Sequence, residues 1–296
     1  MTEFIELTIN GFSLGAIYAL IAIGFVLVFK ATGVVNFAHG SVLLLGAYVT
    51  ARTQEDLGFW VALVVGAAVA GAGAALIDVL LMRRVRAVDA GTLAILTLGI
   101  DIVLATELTR RIGPDIFPSG APWGSEVVRM GDYVIPETRV AAAGIAIVIL
   151  TAFYTAFRFT DWGIAMRAAA ADGRTAALMG VRLNRVAAGA WALAGAIAAV
   201  AGVFFTSFPA PGVDNATGLS ALAAIPAAVI GGLDSLFGAL VGGIMVGLVA
   251  TYCAGYQDEL SFLGRGLGEI APYTVMLIVL LIRPAGLFGS RGVTRV

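Results

Sequence analysis

The sequence predicts an all-α protein, a polytopic transmembrane helical bundle of about eight or nine spans. Three observations carry this. Hydrophobic residues make up 60% of the 296 and charged residues only 12%, about half of the roughly 25% usual in a soluble domain. Mean hydropathy is +0.98. The apolar residues gather in nine runs, most of them near the ~20 residues that cross a bilayer as a helix. Nine such runs leave connecting loops and no soluble domain large enough for an enzyme. The 18 basic and 19 acidic residues nearly cancel, which excludes a basic nucleic-acid binder. A single cysteine, Cys253, excludes an internal disulfide, and a single histidine, His39, argues against a metal cluster.

The first run, residues 9–29, follows Glu3 and Glu6 with no Lys or Arg before it. It therefore lacks the basic flank of a signal peptide and is expected to be a span. Residues 35–50 form the second run, after only a few residues, and 59–82 are long enough to span with tilt. Residues 91–108, 140–157 and 186–205 are further spans. The run 219–233 is short and holds Pro226 and the pair Gly231-Gly232. Residues 236–253 form a clean span, and 270–282 a short one, with Pro272 at its start and Pro284 just past its end. Glycines at small-residue spacings, such as Gly66, Gly71, Gly238, Gly242 and Gly247, predict close helix packing.

Orientation is read from basic residues in short loops. Arg83, Arg84 and Arg86 cluster in one loop, and Arg158, Arg167, Arg174, Arg182 and Arg185 in another. With both inside and all nine runs spanning, the N-terminus is outside and the C-terminus, with Arg291 and Arg295, inside. The outer loops then hold Glu55, Asp56, Asp115, Glu126, Asp132, Glu137, Asp258 and Glu259. A re-entrant 219–233 would place the C-terminal arginines outside, so nine spans are favoured. The outer loop 109–139 contains Pro114, Pro118, Pro122, Trp123 and Pro136, and is expected to be a surface pad with little regular structure. The inner loop 158–185 is expected to be helical over 164–179, with Gly180 as its stop. The whole chain, 1–296, is expected to be one integral membrane domain.

Nucleotide chemistry is excluded within this chain. A phosphate-binding loop needs Gly-Lys-Ser/Thr, and the one lysine, Lys30, has no glycine before it. No catalytic or metal-binding set is visible. Two polar features stand out. Asn36-Phe37-Ala38-His39-Gly40-Ser41 opens the second span. Unpaired N–H groups at a helix start can face an anionic group, while Asn36 is also a natural N-cap and His39 can simply bond a carbonyl. Asp101 lies mid-way along the fourth span, where an ionisable side chain costs roughly 2.5–3.5 kcal/mol on insertion scales and must face protein or water. It is either a group on a solute path or subunit contact, or a bonded structural aspartate. Glu107, three and four residues before Arg110 and Arg111, reads as a helix-end ion pair.

Residues 36–40 with Leu45-Gly46-Ala47-Tyr48 resemble the signature of membrane permeases of branched-chain amino acid ABC importers, the LivH type. So do Arg167 to Asp172 with Ala176 to Val181, Val229 to Leu233 running into Gly238-Ala239, and Arg283 to Gly289. The matches run in order from residue 11 to residue 289. Ser41 stands where that family often has an acidic residue, and Asp101 where a small or hydroxyl residue is common. Asp234 replaces a usual glycine, and Phe237 a usual proline.

The resemblance implies one half of a solute pathway in the inner (plasma) membrane of a bacterial cell. Its partners would be a second permease, identical or related, two ATP-binding subunits and an external solute-binding protein. No cofactor is bound by the chain itself, since ATP is used by the partners. Asn36, Phe37, His39, Ser41 and Asp101 become candidates for the pathway. Arg167, Asp172 and Gly180 become the marked residues of the ATPase-coupling loop. The cargo implied is leucine, isoleucine or valine, although related permeases carry urea and short amides. The competing function is a secondary transporter working alone, with Asp101 and Asp78 as ion-coupling groups.

Overall fold

The computed structural model describes residues 2–85, 89–113, 116–117, 120, 127–130, 133–207, 212–214, 217–259 and 264–290. Arg86, Pro114, Asp115, Pro118, Pro122, Trp123, Glu126, Asp132, Arg291 and Arg295, used above for orientation and loop character, lie outside the described residues.

Among the described residues twelve helices follow one another: α1 (Thr2–Thr32), α2 (His39–Leu57), α3 (Phe59–Leu80), α4 (Ala90–Ile112), α5 (Glu137–Phe159), α6 (Asp161–Ala171), α7 (Gly173–Leu178), α8 (Leu183–Phe205), α9 (Thr217–Ala221), α10 (Ile225–Gly231), α11 (Leu236–Gly255) and α12 (Leu267–Ile282). Each of the nine apolar runs lies mostly on helix, although residues 35–38 precede α2. Among the described residues six helical segments are long and apolar enough to cross a membrane: Glu3–Thr32, Phe59–Val85, Ala90–Ile112, Glu137–Phe159, Leu183–Phe205 and Leu236–Gly255. The chain is thus a multi-pass helical membrane protein.

Three expectations need correction. The run 219–233 is broken into α9, a 3-10 turn (Leu222–Ala224) and α10. Its apolar part, Leu222–Gly231, is a shorter helix, about 15 Å long at 1.5 Å per residue against a hydrocarbon core of ~30 Å. Pro226 stands in the first turn of α10, and Gly232 ends it at φ 102°, a conformation open to glycine. The 109–139 segment is not irregular throughout, because Val127–Met130 and Tyr133–Pro136 pair as an antiparallel hairpin, β1–β2. β-branched and aromatic residues flank a two-residue Gly-Asp connection, a hairpin pattern that the surrounding prolines obscured. The 164–179 helix is two helices, α6 and α7, divided at Asp172.

The described chain forms two compact units. The first comprises residues 1–26, 123–144 and 222–296, the second 27–122 and 145–221. In the first, α1 crosses α11 at backbone contact. A Cβ on Gly15 would stand 2.7 Å from Ile244 Cα, and one on Gly243 2.5 Å from Ala19 Cα. Without a hydrophobic effect between helices in lipid, such small-residue contacts hold the pair by dispersion. The chain end also packs here. Leu287 and Phe288 N–H donate to the Ile230 and Gly231 carbonyls at 2.8 and 3.0 Å, satisfying orphan acceptors at the end of α10. Asp234 accepts from Ser290 N–H at 2.9 Å, and Phe237 meets Phe288 edge to face at 5.3 Å. The two departures from the family pattern in this region therefore both contact the final described segment.

In the second unit α8 is the core. Trp191, Ala194, Ala198 and Ala201 are fully buried, and α8 is pressed against two neighbours. A Cβ on Gly195 would lie 2.6 Å from the Ala70 carbonyl oxygen of α3, and one on Gly46 of α2 would lie 2.7 Å from Ala199 Cα.

Candidate functional site

The polar opening of α2 and the middle of α4 come together in the second unit. Ser41 Oγ donates to Asp101 Oδ1 at 2.5 Å and approaches the Asp101 carbonyl at 3.1 Å. The two pathway candidates that depart from the family pattern are thus bonded to each other. Phe37 N–H donates to Thr97 Oγ1 at 3.1 Å, and Thr97 Oγ1 donates to the Ala94 carbonyl at 2.7 Å. Asn36, His39, Ser41 and Thr97 are all buried, so α2 and α4 share a polar seam inside an apolar setting. Buried polar groups of this kind are retained where their hydrogen bonds are made.

Asn36 does not occupy the N-cap. Ala38 does, with no side-chain bond. Asn36 Oδ1 instead accepts from Ala38 N–H at 3.1 Å, and its carbonyl accepts from His39 N–H at 3.3 Å. An Asx-type turn therefore delivers the chain into α2. Thr97 was not singled out from sequence. It precedes Asp101 by four residues, one helical turn on the same face, and that spacing was the available signal.

Asp78, within the span of α3, is fully buried and accepts from Arg83 Nε at 3.1 Å. Arg83 also donates from its terminal nitrogen to the Asn184 carbonyl at 2.6 Å. This ties the end of α3 to the start of α8. Breaking a buried pair costs about 3–5 kcal/mol. The cost here is lower, because Arg83 keeps 27% of its side chain exposed. Asp78→Ala is therefore expected to lower the thermal midpoint and yield of the folded protein, measured by size-exclusion after heating in detergent, while the transport rate per folded molecule stays near wild type. Glu107 makes its expected pairs, to Arg110 and Arg111 at 2.9 and 2.6 Å.

The 158–185 segment is a pair of capped helices. Thr160 accepts from Gly163 N–H and starts α6. Arg167 reaches back to the Phe157 carbonyl and, at 3.1 Å, the Arg158 carbonyl, with its guanidinium 5.4 Å from the Phe157 ring centre. It thus caps the end of α5. Asp172 ends α6 and begins α7, accepting from Arg174 N–H at 2.9 Å, Thr175 N–H at 3.1 Å and Thr175 Oγ1 at 2.6 Å. These bonds, the Thr175 hydroxyl first, hold its carboxyl below the ordinary carboxylate value. Gly180 closes α7 at φ 89°. Gly180 N–H donates to the Ala177 carbonyl and Val181 N–H to the Ala176 carbonyl, each at 3.0 Å, which is a Schellman ending. Just before it, Leu178 and Met179 are 83% and 82% exposed.

Among the described residues, no group of three His, Cys, Asp or Glu is placed to hold a metal ion. The family described as "Branched-chain amino acid transport system / permease component" matches residues 7–282, and the chain belongs to it. It is a transport component and not an enzyme. Similar curated proteins include the high-affinity branched-chain amino acid transport system permease LivH of Escherichia coli, 31% identical over 99% of this chain and 98% of the relative. The permease BraD of Pseudomonas aeruginosa is 26% identical over 99% and 98%. A probable branched-chain amino acid transport permease LivH of Methanocaldococcus jannaschii is 28% identical over 91% and 88%. No solved structure is significantly similar to the chain.

Proposed function

We propose that this chain is one of the two permease subunits of an ABC importer for branched-chain amino acids. In this reading the two units act as a single permease domain in the inner membrane, with the N-terminus outside and the C-terminus inside. ATP is hydrolysed by two partner subunits, and an external binding protein delivers the cargo. The observation that carries the reading is the end-to-end similarity to permeases of that system. The seam of Asn36, Phe37, His39, Ser41 and Asp101 lines the solute path. The 158–185 loop, marked by Arg167, Asp172 and Gly180, seats on the ATPase. Support comes from the caps that make this loop rigid and from the exposed Leu178-Met179 tip.

The test is uptake of labelled leucine, isoleucine, valine and urea by the complex reconstituted in vesicles. The expected result is accumulation of the three branched-chain amino acids that requires ATP and the binding protein and is insensitive to ionophores. The purified chain alone should bind no ATP. Uptake driven by an ion gradient without ATP, or uptake of urea in place of leucine, overturns the reading.

A further inference from the structure

Trp162 is the second residue of α6, and its indole lies against Gly189 of α8. A Cβ added to Gly189 would stand 2.6 Å from Trp162 Nε1 and 3.3 Å from Cε2, closer to the nitrogen than real Cβ atoms come. The ring as seated therefore tolerates only glycine beneath it. Trp162 Nε1 is buried and donates to no described atom, although buried indole N–H groups ordinarily find an acceptor. The contact is held by packing alone, with no hydrogen bond to lock the ring.

On its other side α6 is fixed to α5. Arg167 bonds the Phe157 and Arg158 carbonyls, and a Cβ on Gly163 would fall onto the Phe157 carbonyl group. Beyond the indole, α8 meets α3 and α2 at backbone distance through Gly195 and Gly46. In addition, a Cβ on Gly202 would stand 2.8 Å from Leu43 Cγ of α2. α2 carries Ser41. Close-packed helices move as bodies rather than deforming continuously, so a displacement of α6 has a physical route to the Ser41–Asp101 pair.

We infer that Trp162 seated on Gly189 is the joint that passes movement of α6 to α8 and so to α2, making both positioning residues for transport. This rests on the reading of 158–185 as the ATPase-coupling loop. The measurement is labelled leucine taken up per ATP hydrolysed by the reconstituted complex. Gly189→Ala forces the indole off its seat. It is expected to lower that ratio by at least about fivefold, the lower end of typical coupling effects, with basal hydrolysis and assembled complex unchanged. Adding Trp162→Phe to Gly189→Ala removes the clashing nitrogen and should restore the ratio to within about twofold. Trp162→Ala, which introduces no bulk, should lower the ratio on its own and decides the matter if Gly189→Ala fails to assemble. A purely structural contact would reduce the amount of complex and leave the ratio intact. A wild-type ratio in Trp162→Ala, or no rescue in the double variant, overturns the joint. Gly180→Trp separates the two readings. If it too keeps the wild-type ratio, the coupling loop itself is misassigned; if it uncouples while Trp162→Ala does not, only the joint fails.

Discussion

Replacing Gly180 with tryptophan is expected to disconnect cargo uptake from ATP hydrolysis. At φ 89° this residue sits in the left-handed region, where an L side chain costs roughly 1–2 kcal/mol. That penalty alone changes the population of the native loop by a factor of roughly 5–30. Apart from its two chain neighbours, no described residue comes within 4 Å of an added Cβ, so the strain at that atom comes from the backbone and not from crowding. Losing this conformation undoes the two bonds that end α7 and redirects the exposed Leu178-Met179 tip, the part of the loop proposed to seat on the ATPase. The expected result is a membrane complex assembled in normal amount that keeps its basal hydrolysis but loses cargo stimulation, so that leucine uptake, and with it uptake per ATP hydrolysed, falls about tenfold or more. Asp172→Ala removes the cap shared by α6 and α7 and should act in the same direction. Because the Asp172 carboxyl is held below its ordinary value of 3.8, its cap is intact above that value and is lost only as pH falls through the lowered one. Coupling should therefore be flat with respect to this group between pH 6 and 8 (about two units or more above the ordinary carboxylate range). Wild-type stimulation and uptake in Gly180→Trp would sink the assignment of the loop.

The stop at Gly180 was legible because glycine after an alanine-rich stretch has one strong meaning. The break at Asp172 was harder to see. Alanine continues on its N-terminal side and resumes soon after it, and only the Asp-Gly pair at 172–173 signals that a side chain competes with the helix. The same physics displaced Asn36: an Asn two residues before a helix can serve an Asx turn as readily as a cap. The broken stretch 217–231 announced itself through Pro226 and Gly231-Gly232, but keeping the C-terminal arginines inside favoured a ninth span. Contacts across helices were the least legible. Nothing in the order of residues tells that Ser41 faces Asp101 sixty positions later, or that Trp162 faces Gly189. Those pairings depend on how far one helix slides and turns against another, which glycines such as Gly46 and Gly195 set only after the partners are known.

Asp101 offers the second large effect. Its carboxyl lies mid-way along α4 and takes a short bond from Ser41. Asp101→Asn preserves shape and an acceptor for the Ser41 hydroxyl, so the complex should assemble in normal amount. If the residue lines the path, the variant removes an acidic partner for the cargo. Hydrogen bonds to charged groups are worth about 1.5–3 kcal/mol, so the expected change is a loss of roughly tenfold or more in apparent affinity for leucine, with the ATP requirement intact. Asp101→Leu leaves the Ser41 hydroxyl only the Asp101 backbone carbonyl at 3.1 Å. Beyond the same loss of uptake, it should reduce the assembled complex by an amount consistent with one net hydrogen bond, about 1 kcal/mol. Uptake is to be normalised to complex in the membrane and measured with and without an ionophore. Wild-type affinity in Asp101→Asn together with reduced assembly in Asp101→Leu would make the residue structural. Complete loss of uptake in Asp101→Asn, with wild-type uptake abolished by the ionophore, would overturn the permease-subunit reading in favour of an ion-coupled transporter, because only a proton- or sodium-binding group has to lose all function when its carboxyl becomes an amide.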